Sequence, residues 1–283
     1  MMKQVKFDEK AHVYTRISDG SWLQGVSTVS SIIPKEWLSA WGAKECVKAL
    51  GYSDYDGDTE LAESVVKQIR ELKPIKDKDG KVTSTVAEQY ILILKEAKGA
   101  SGRKSKTALV DGKAGHAWLE GYVKARIRGQ KLPEIPEGPL NRPITQFLEW
   151  EEKNVAFWIV SEARVAYPDK GYAGTLDAIA MMRTGNLAVV DFKFASHISE
   201  DYYLQTAGYQ AAFEPYGIDF DERIIIRLPK TLEREEYDKE ARKYTMVPNN
   251  IEVLPVPTKY ENDREVFYHM LPVKKWINQF EKK

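Results

Sequence analysis

Three short apolar runs near the centre of the chain predict a group of strands. The runs at 157–167, 172–182 and 187–194 are mostly apolar, and the first is rich in β-branched and aromatic residues. Gly171 and the turn-forming triplet at 184–186 separate them. The pattern therefore predicts a meander of three strands joined by tight turns.

Helices are predicted on both sides of this meander. One covers about 144–154, and another covers about 199–214, where Glu200 and Asp201 supply acids to the first turn. A further apolar run at 221–228 predicts a fourth strand. The order is therefore helix, three strands, helix and strand.

The first hundred residues predict a separate region with a small antiparallel β-hairpin unit within 3–28. Helical spacing follows at 36–50, 60–72 and 84–99. The acidic loop at 51–59 lacks the distal glutamate of a calcium loop, so we interpret it as solvated, and we interpret His12 as a surface residue. The lysine-rich stretch at 73–81 predicts a connector.

After the fourth strand, the mixed charges at 229–243 predict an exposed loop or short helix. A strand is predicted at 250–257, and a helix at 264–280 that Pro272 interrupts. We therefore divide the chain into a hairpin and helical lobe at 1–100 and a core with its C-terminal helix at 101–283, together forming one compact unit.

Net charge and cysteine content exclude some kinds of partner and cofactor. The chain of 283 residues has 42 Lys and Arg against 42 Asp and Glu, so no global field draws it to nucleic acid. Its single cysteine, Cys46, permits no internal disulfide and indicates a reducing cytoplasm. The same count excludes a four-cysteine iron–sulfur cluster. The charged N-terminus and the absence of a long apolar run predict no signal peptide and no membrane partner.

A local excess of basic residues lies between 101 and 131. The predicted nucleic-acid-binding residues are Arg103, Lys104, Lys106, Lys113, Lys124, Arg126 and Arg128. In a neutral protein such an excess predicts a phosphate-binding strip, and the alternative is an ordinary solvated helix surface.

Charged residues inside the central strands carry the candidate chemistry. Asp177 lies in the second run, and Asp191 and Lys193 are two apart in the third, so they share one face of a strand. Two strand acids form a hard oxygen site suited to Mg²⁺ or Mn²⁺, and a nearby lysine can orient water or stabilise charge on a phosphate oxygen. The alternative is an edge-strand ion pair that faces solvent.

Two helix pairs add to this set. Gln205 and Tyr209 are one turn apart and share a face of the helix that follows the meander. His116 and Glu120 have the same spacing in an upstream helix, so His116 can supply an imidazole, while Glu120 holds His116 or a lysine.

Taken together, these motifs resemble the PD-(D/E)XK nuclease superfamily, and above all its RecB-like branch of phage-type exonucleases. The resemblance covers roughly residues 112–228. It rests on Gly174-Thr175-Leu176-Asp177, Val190-Asp191-Phe192-Lys193, Gln205-x-x-x-Tyr209, Gly115-His116 and Glu162. Pro168-Asp169 is interpreted as the turn before Gly171, because Asp177 occupies the G-x-x-D position.

The resemblance implies a fold and a set of roles. The fold is α/β (α+β), with a restriction-endonuclease-like core whose mixed central sheet is flanked by helices. The implied metal ligands are Asp177, Asp191, His116, the backbone carbonyl of Phe192 and Glu162. The implied catalytic residues are Lys193, Asp191, Asp177, Glu162, Gln205 and Tyr209.

The implied activity is metal-dependent exonuclease cleavage of single- or double-stranded DNA ends, in phage or bacterial recombination or repair. A single-strand annealing or binding protein is the implied partner, and both ring-forming and monomeric members exist. Two alternatives remain: a catalytically inactive DNA-binding or assembly protein on the same fold, and another hydrolase with paired acids, such as a glycosidase.

Overall fold

The structure of the chain is a computed structural model. It describes residues 5–9, 11, 13–51, 59–238 and 243–280. His12 and most of the acidic loop predicted at 51–59 lie outside the described residues. Among the helices that are described, none is both long and apolar enough to span a membrane.

Twelve strands are present in the described residues. They are β1 (Val5–Asp8), β2 (Val13–Arg16), β3 (Trp22–Gly25), β4 (Ile75–Lys76), β5 (Val82–Ser84), β6 (Val155–Tyr167), β7 (Tyr172–Met182), β8 (Leu187–Lys193), β9 (Glu222–Arg227), β10 (Glu233–Asp238), β11 (Lys243–Pro248) and β12 (Glu252–Pro255).

Eight α-helices are present in the same part of the chain. They are α1 (Val26–Ser30), α2 (Trp37–Lys48), α3 (Thr59–Arg70), α4 (Val86–Lys98), α5 (Ala100–Arg128), α6 (Asn141–Asn154), α7 (Asp201–Ala211) and α8 (Tyr260–Ile277). Short 3₁₀ turns precede α6, join β6 to β7 and follow α7.

The central sheet of the described residues has eight strands of mixed direction. Its order is β1, β2, β3, β7, β8, β9 and β12, and β6 also pairs with β7. β3 is parallel to β7 and β8 is parallel to β9, whereas the other pairs are antiparallel. A mixed α and β architecture with helices flanking a mixed central sheet is therefore confirmed.

The described residues divide into two compact units. The first combines Met1–Pro34, Asp111–Leu232 and Asn249–Lys283, and it contains the whole central sheet. The second combines Lys35–Val110 and Glu233–Pro248, with α2, α3, α4 and the two hairpins β4–β5 and β10–β11. The boundary near Asp111 falls inside α5. The predicted division at residue 100 stays a prediction, but the N-terminal strands pair with the central sheet.

Apolar side chains cover both faces of the central sheet. One cluster joins the sheet to α1, α7 and α8, and a second joins it to α5 and α6. In β8, Val189 belongs to the first cluster, while Val190 and Phe192 belong to the second. Because strand side chains alternate, Asp191 and Lys193 have the parity of Val189 and lie toward the face that α7 covers.

Most predicted elements are confirmed, and the differences are informative. The predicted helix–strand–strand–strand–helix–strand order corresponds to α6, β6, β7, β8, α7 and β9. The prediction of a loop or short helix at 229–243 was wrong, because β10 pairs with β11. The connector at 73–81 likewise contains β4, which pairs with β5. α8 begins at Tyr260 and continues through Pro272, so the proline does not interrupt it.

Candidate active site

The candidate site lies where one edge of β7 changes partner. β6 pairs along one edge of β7 for almost its full length. On the other edge, β3 pairs with Tyr172 and Ala173, whereas β8 pairs from Ala178 to Met181. Asp177 therefore occupies the gap in which neither β3 nor β8 continues the ladder.

Three carboxylates lie side by side across β6, β7 and β8. The ladder between β6 and β7 pairs residues on both sides of Glu162 and Asp177, but leaves this pair out. The ladder between β7 and β8 ends at Ala178 and Val190, and one further step in the same register would set Asp177 opposite Asp191. Glu162, Asp177 and Asp191, which we call the acid row, are therefore neighbours in the sheet.

The backbone of Glu162 departs from strand geometry. Its φ of 50° lies in the left-handed region, where it is the only non-glycine among the described residues. This conformation costs a non-glycine residue about 1–2 kcal/mol. The departure occurs at the position where Glu162 and Asp177 are missing from the ladder, so local strain accompanies the placement of the Glu162 side chain.

Asp177 connects β7 to β8 and faces α5. Its Oδ2 accepts a hydrogen bond of 2.7 Å from the backbone N–H of Phe192, beyond the last residue of β8 that pairs with β7. Nδ1 of His116 lies 3.8 Å from the same oxygen. The Asp177 carboxylate thus takes the place of a ladder acceptor and faces the imidazole that α5 supplies.

Lys193 connects the acid row to α7. Its Nζ lies 2.7 Å from Asp191 Oδ2 and donates a 3.0 Å hydrogen bond to Gln205 Oε1. Gln205 Nε2 in turn donates to the Tyr209 hydroxyl at 2.9 Å, which confirms that these two side chains share a helix face. The ammonium also lies 4.6 Å from the ring centre of Tyr202. The predicted D-x-K pair is therefore a buried ion pair under α7.

Burial and charge act in opposite directions on the pKa values of this pair. Burial raises the pKa of Asp191 to about 7, although Lys193 acts in the opposite direction. Burial would lower the pKa of Lys193, but the negative charges of Asp191 and Asp177 outweigh it and hold that pKa above its usual value. Lys193 is consequently a cation at neutral pH.

Burial, together with neighbouring negative charge, shifts the pKa of a second member of the acid row. Burial, then the charges of Asp177 and Glu120, raise the pKa of Glu162 to about 7, while Lys124 opposes the shift. Glu120 also forms an ion pair with Lys124 one turn along α5. Of the two roles predicted for Glu120, the structure thus shows the one in which it holds a lysine.

His116 is an imidazole near cations as well as acids. Burial lowers its pKa; the charge of Asp177 opposes this, and those of Lys193 and Lys230 reinforce it. The neutral form is therefore favoured at neutral pH, and a neutral imidazole is the form that binds metals.

α5 approaches the sheet closely at two glycines. A Cβ on Gly115 would lie only 2.2 Å from Cζ of Phe194, the residue that follows β8. A Cβ on Gly112 would lie 3.7 Å from Phe194 Cβ and 4.0 Å from Lys230 Nζ. The absence of a side chain at Gly115 lets the segment after β8 reach the helix beside His116, whereas a Cβ at Gly112 would make only ordinary van der Waals contacts.

Lys230 and Tyr202 are site residues that the sequence did not reveal. Tyr202 lies one residue beyond the predicted acids of the first turn of α7, and Lys230 follows β9 in a Pro-Lys pair. Neither position belongs to a recognisable motif. Lys230 reaches the site because β8 and β9 pair in parallel, and no local pattern in the sequence predicts that pairing.

The predicted basic strip is only partly available to a nucleic acid. Four of its residues have acidic partners: Arg103 with Glu96, Lys104 with Glu45, Lys124 with Glu120 and Arg126 with Glu151. Lys106, Lys113 and Arg128 are exposed, and no ion pair joins them to other described residues. Binding of nucleic acid by this strip stays a prediction, with fewer uncompensated charges than the sequence indicates.

The donor atoms of the acid row suit a hard divalent cation. Oδ2 of Asp191 is buried and makes no hydrogen bond of normal geometry to any described residue, although Lys193 lies beside it. Carboxylate oxygens with a neutral imidazole nearby are ligands for Mg²⁺ or Mn²⁺. Within the described residues, no group of three or more His, Cys, Asp or Glu side chains is already arranged around one metal position. The chemistry of the site fits such an ion, but the side chains are not preassembled around it.

Comparison of the chain with models of known protein families gave no match, and a search of curated proteins also found none.

Proposed function

We propose that this protein is a divalent-metal-dependent deoxyribonuclease, an exonuclease of the RecB-like branch of the PD-(D/E)XK superfamily, with a restriction-endonuclease-like core. One observation carries the proposal: the acid row lies across three adjacent strands, and Lys193 joins it to the Gln205–Tyr209 pair of α7. The element order from α6 to β9 supports the fold assignment.

The acid row is assigned to hold Mg²⁺ or Mn²⁺ through Asp177 and Asp191, with Glu162, His116 and the backbone carbonyl of Phe192 as further ligands. When bound, such an ion lowers the pKa of a coordinated water and neutralises phosphate charge. Two of these ligands already have partners within the chain, since Asp177 accepts a hydrogen bond from the Phe192 N–H and Asp191 pairs with Lys193.

Lys193 is assigned to stabilise negative charge on the phosphate in the transition state. Its raised pKa keeps it protonated, so it donates hydrogen bonds and does not act as a general base at neutral pH. Gln205 and Tyr209 orient its ammonium through the 3.0 Å and 2.9 Å hydrogen bonds. His116, in its neutral form, completes the site from α5, where its Nδ1 lies 3.8 Å from Asp177 Oδ2.

The inactive DNA-binding or assembly protein is the second candidate. It is favoured by the burial of Asp191, which is 1% exposed and already paired with Lys193, and by the lack of a preassembled three-ligand group within the described chain. Against it, Asp177, Asp191 and Lys193 are all present, whereas inactive relatives would be expected to lose at least one of them.

Degradation of linear DNA labelled separately at each end tests the proposal. Wild type, Asp191→Asn and Lys193→Met are compared on single- and double-stranded DNA with Mg²⁺, Mn²⁺ or EDTA, and Lys153→Met serves as a matched surface control. We expect metal-dependent loss of label from one end, a drop of about 10²- to 10³-fold for Lys193→Met, and no change for Lys153→Met.

A closed circular DNA separates the modes of cleavage, because an exonuclease leaves it intact. Full cleavage by purified Lys193→Met would overturn the role of that lysine. DNA binding without cleavage under any condition would instead support the inactive alternative.

We further assign the protein to the cytoplasm of a bacterium or phage-infected cell, with a single-strand annealing or binding protein as its proposed partner.

A further inference from the structure

The carboxyl ends of β8 and β9 deliver two lysines to one edge of the sheet. β8 ends at Lys193, and the parallel partner β9 ends at Arg227, which pairs with Lys193. Lys230 follows three residues later. Because parallel neighbours end at the same edge, the segment that carries Lys230 leaves the sheet beside the one that carries Phe194.

α5 fixes where the ammonium of Lys230 lies. A Cβ on Gly112 would be 4.0 Å from Lys230 Nζ, and Gly112 is one helical turn from His116. His116 in turn faces Asp177, and its protonation responds to the charge of Lys230. Lys230 is thus near His116 on the α5 side of the site, whereas Lys193 lies on the α7 side.

The two lysines are suited to different tasks. Lys193 is bound by Asp191 and Gln205 inside the site. Lys230 is half-buried, near the charge of Asp111, and burial lowers its pKa. Three neighbouring carboxylates repel a polyanionic strand, so a cation beside them is needed where the strand passes.

We propose that Lys230 contacts a phosphate of the DNA strand next to the phosphate that is cleaved, and so anchors the strand beside the acid row. This inference rests on the proposed function, because it takes DNA as the substrate. A single ammonium contacts phosphate without reading a base, so Lys230 contributes affinity and registration of the strand but no sequence preference.

Salt-dependent DNA binding tests the inference without requiring cleavage. Binding of short fluorescent single- and double-stranded oligonucleotides is measured by anisotropy across a salt series, in EDTA, so that an inactive protein is also informative. The variants are Lys230→Gln, Lys230→Arg and the exposed control Lys275→Gln on α8, each checked for an unchanged circular dichroism spectrum.

Loss of one phosphate contact should reduce the slope of log affinity against log salt by about 0.9 for duplex and about 0.7 for single strands. We expect this reduction, with weaker binding of every sequence, for Lys230→Gln and not for Lys230→Arg or Lys275→Gln. An unchanged slope for Lys230→Gln, or no DNA binding by wild type, would overturn the inference. DNA binding with the expected slope change but no cleavage would uphold the phosphate contact of Lys230 while refuting the nuclease.

Discussion

Replacing Gly115 by alanine sets two effects of known size against each other. Gly115 lies inside α5, where alanine is normally favoured over glycine by about 1 kcal/mol. A Cβ at this position, however, would lie 2.2, 2.4 and 2.6 Å from Cζ, Cε1 and Cε2 of the Phe194 ring. Gly121, two turns away on the same helix, is exposed, and its Cβ would meet no atom within 4 Å.

The clash should outweigh the helix term. All three contacts are far below van der Waals distance, so the Phe194 ring or the helix must move, and such overpacking costs about 1–3 kcal/mol. Both alanines gain the same helix propensity, so the difference between the two variants measures the clash alone. We expect Gly121→Ala to stabilise by up to about 1 kcal/mol, and Gly115→Ala to be about 1–3 kcal/mol less stable than Gly121→Ala.

Urea unfolding followed by circular dichroism gives these free energies for both variants, for Phe194→Ala and for the double variant Gly115→Ala with Phe194→Ala. Removing the ring should convert Gly115→Ala into a stabilising change of the same size as Gly121→Ala. If Gly115→Ala alone changes the free energy of unfolding as much as Gly121→Ala does, the Phe194 ring does not pack against α5 at Gly115, contrary to the distances above.

Three further outcomes follow from the acid row and its lysine. Folding raises the pKa of Glu162 and of Asp191 to about 7, so the protonated forms are favoured in the folded protein. These two protonated carboxyl groups stabilise the fold fully below their pKa values in the unfolded chain, which are near 4, and this stabilisation is lost as pH rises through about 7. Urea titrations in EDTA should therefore show a free energy of unfolding that falls between about pH 4 and about pH 7. Asp177→Asn removes a charge that raises both pKa values, so it should flatten this fall, and a steeper fall in the variant would contradict the assignment. Mn²⁺ should raise the midpoint of thermal unfolding more at pH 8 than at pH 5 in wild type, and at neither pH in Asp177→Asn; equal shifts in both proteins would place metal binding elsewhere. Tyr202→Leu should lower the cleavage rate by several-fold and Tyr202→Phe should not, because phenylalanine keeps the aromatic ring that lies against the Lys193 ammonium; equal rates for both would contradict this role.

Local patterns in the sequence were sufficient to locate most elements. The apolar runs at 157–167, 172–182 and 187–194 correspond to β6, β7 and β8 within a few residues, and Gly171 ends the turn between the first two with a φ of 80°. The four-residue spacing of Gln205 and Tyr209 correctly predicted a shared helix face. These features depend only on residues that are close along the chain. The period of a strand or a helix decides which of those residues share a face.

Long-range packing of the chain, which local patterns do not contain, set which strands pair and what the charged residues contact. Motifs in the sequence identified Glu162, Asp177 and Asp191 as candidates. Their alignment follows from the order of β6, β7 and β8 in the sheet and from the gap that β3 and β8 leave along β7. β10 was missed because the mixed charges of 229–243 suggested an exposed loop, whereas most of its partner β11 lies after that segment.

Lys230 shows the same limit most clearly. It is separated from Lys193 by 37 positions in the numbering, and the parallel pairing of β8 with β9 brings their segments to one edge beside α5. Strand pairing and helix packing are set by the burial of apolar faces over the whole fold, and the same local pattern is compatible with many partners. The sequence thus determined the elements and the residue types available for chemistry, whereas the long-range packing of the sheet determined which of those residues share a site.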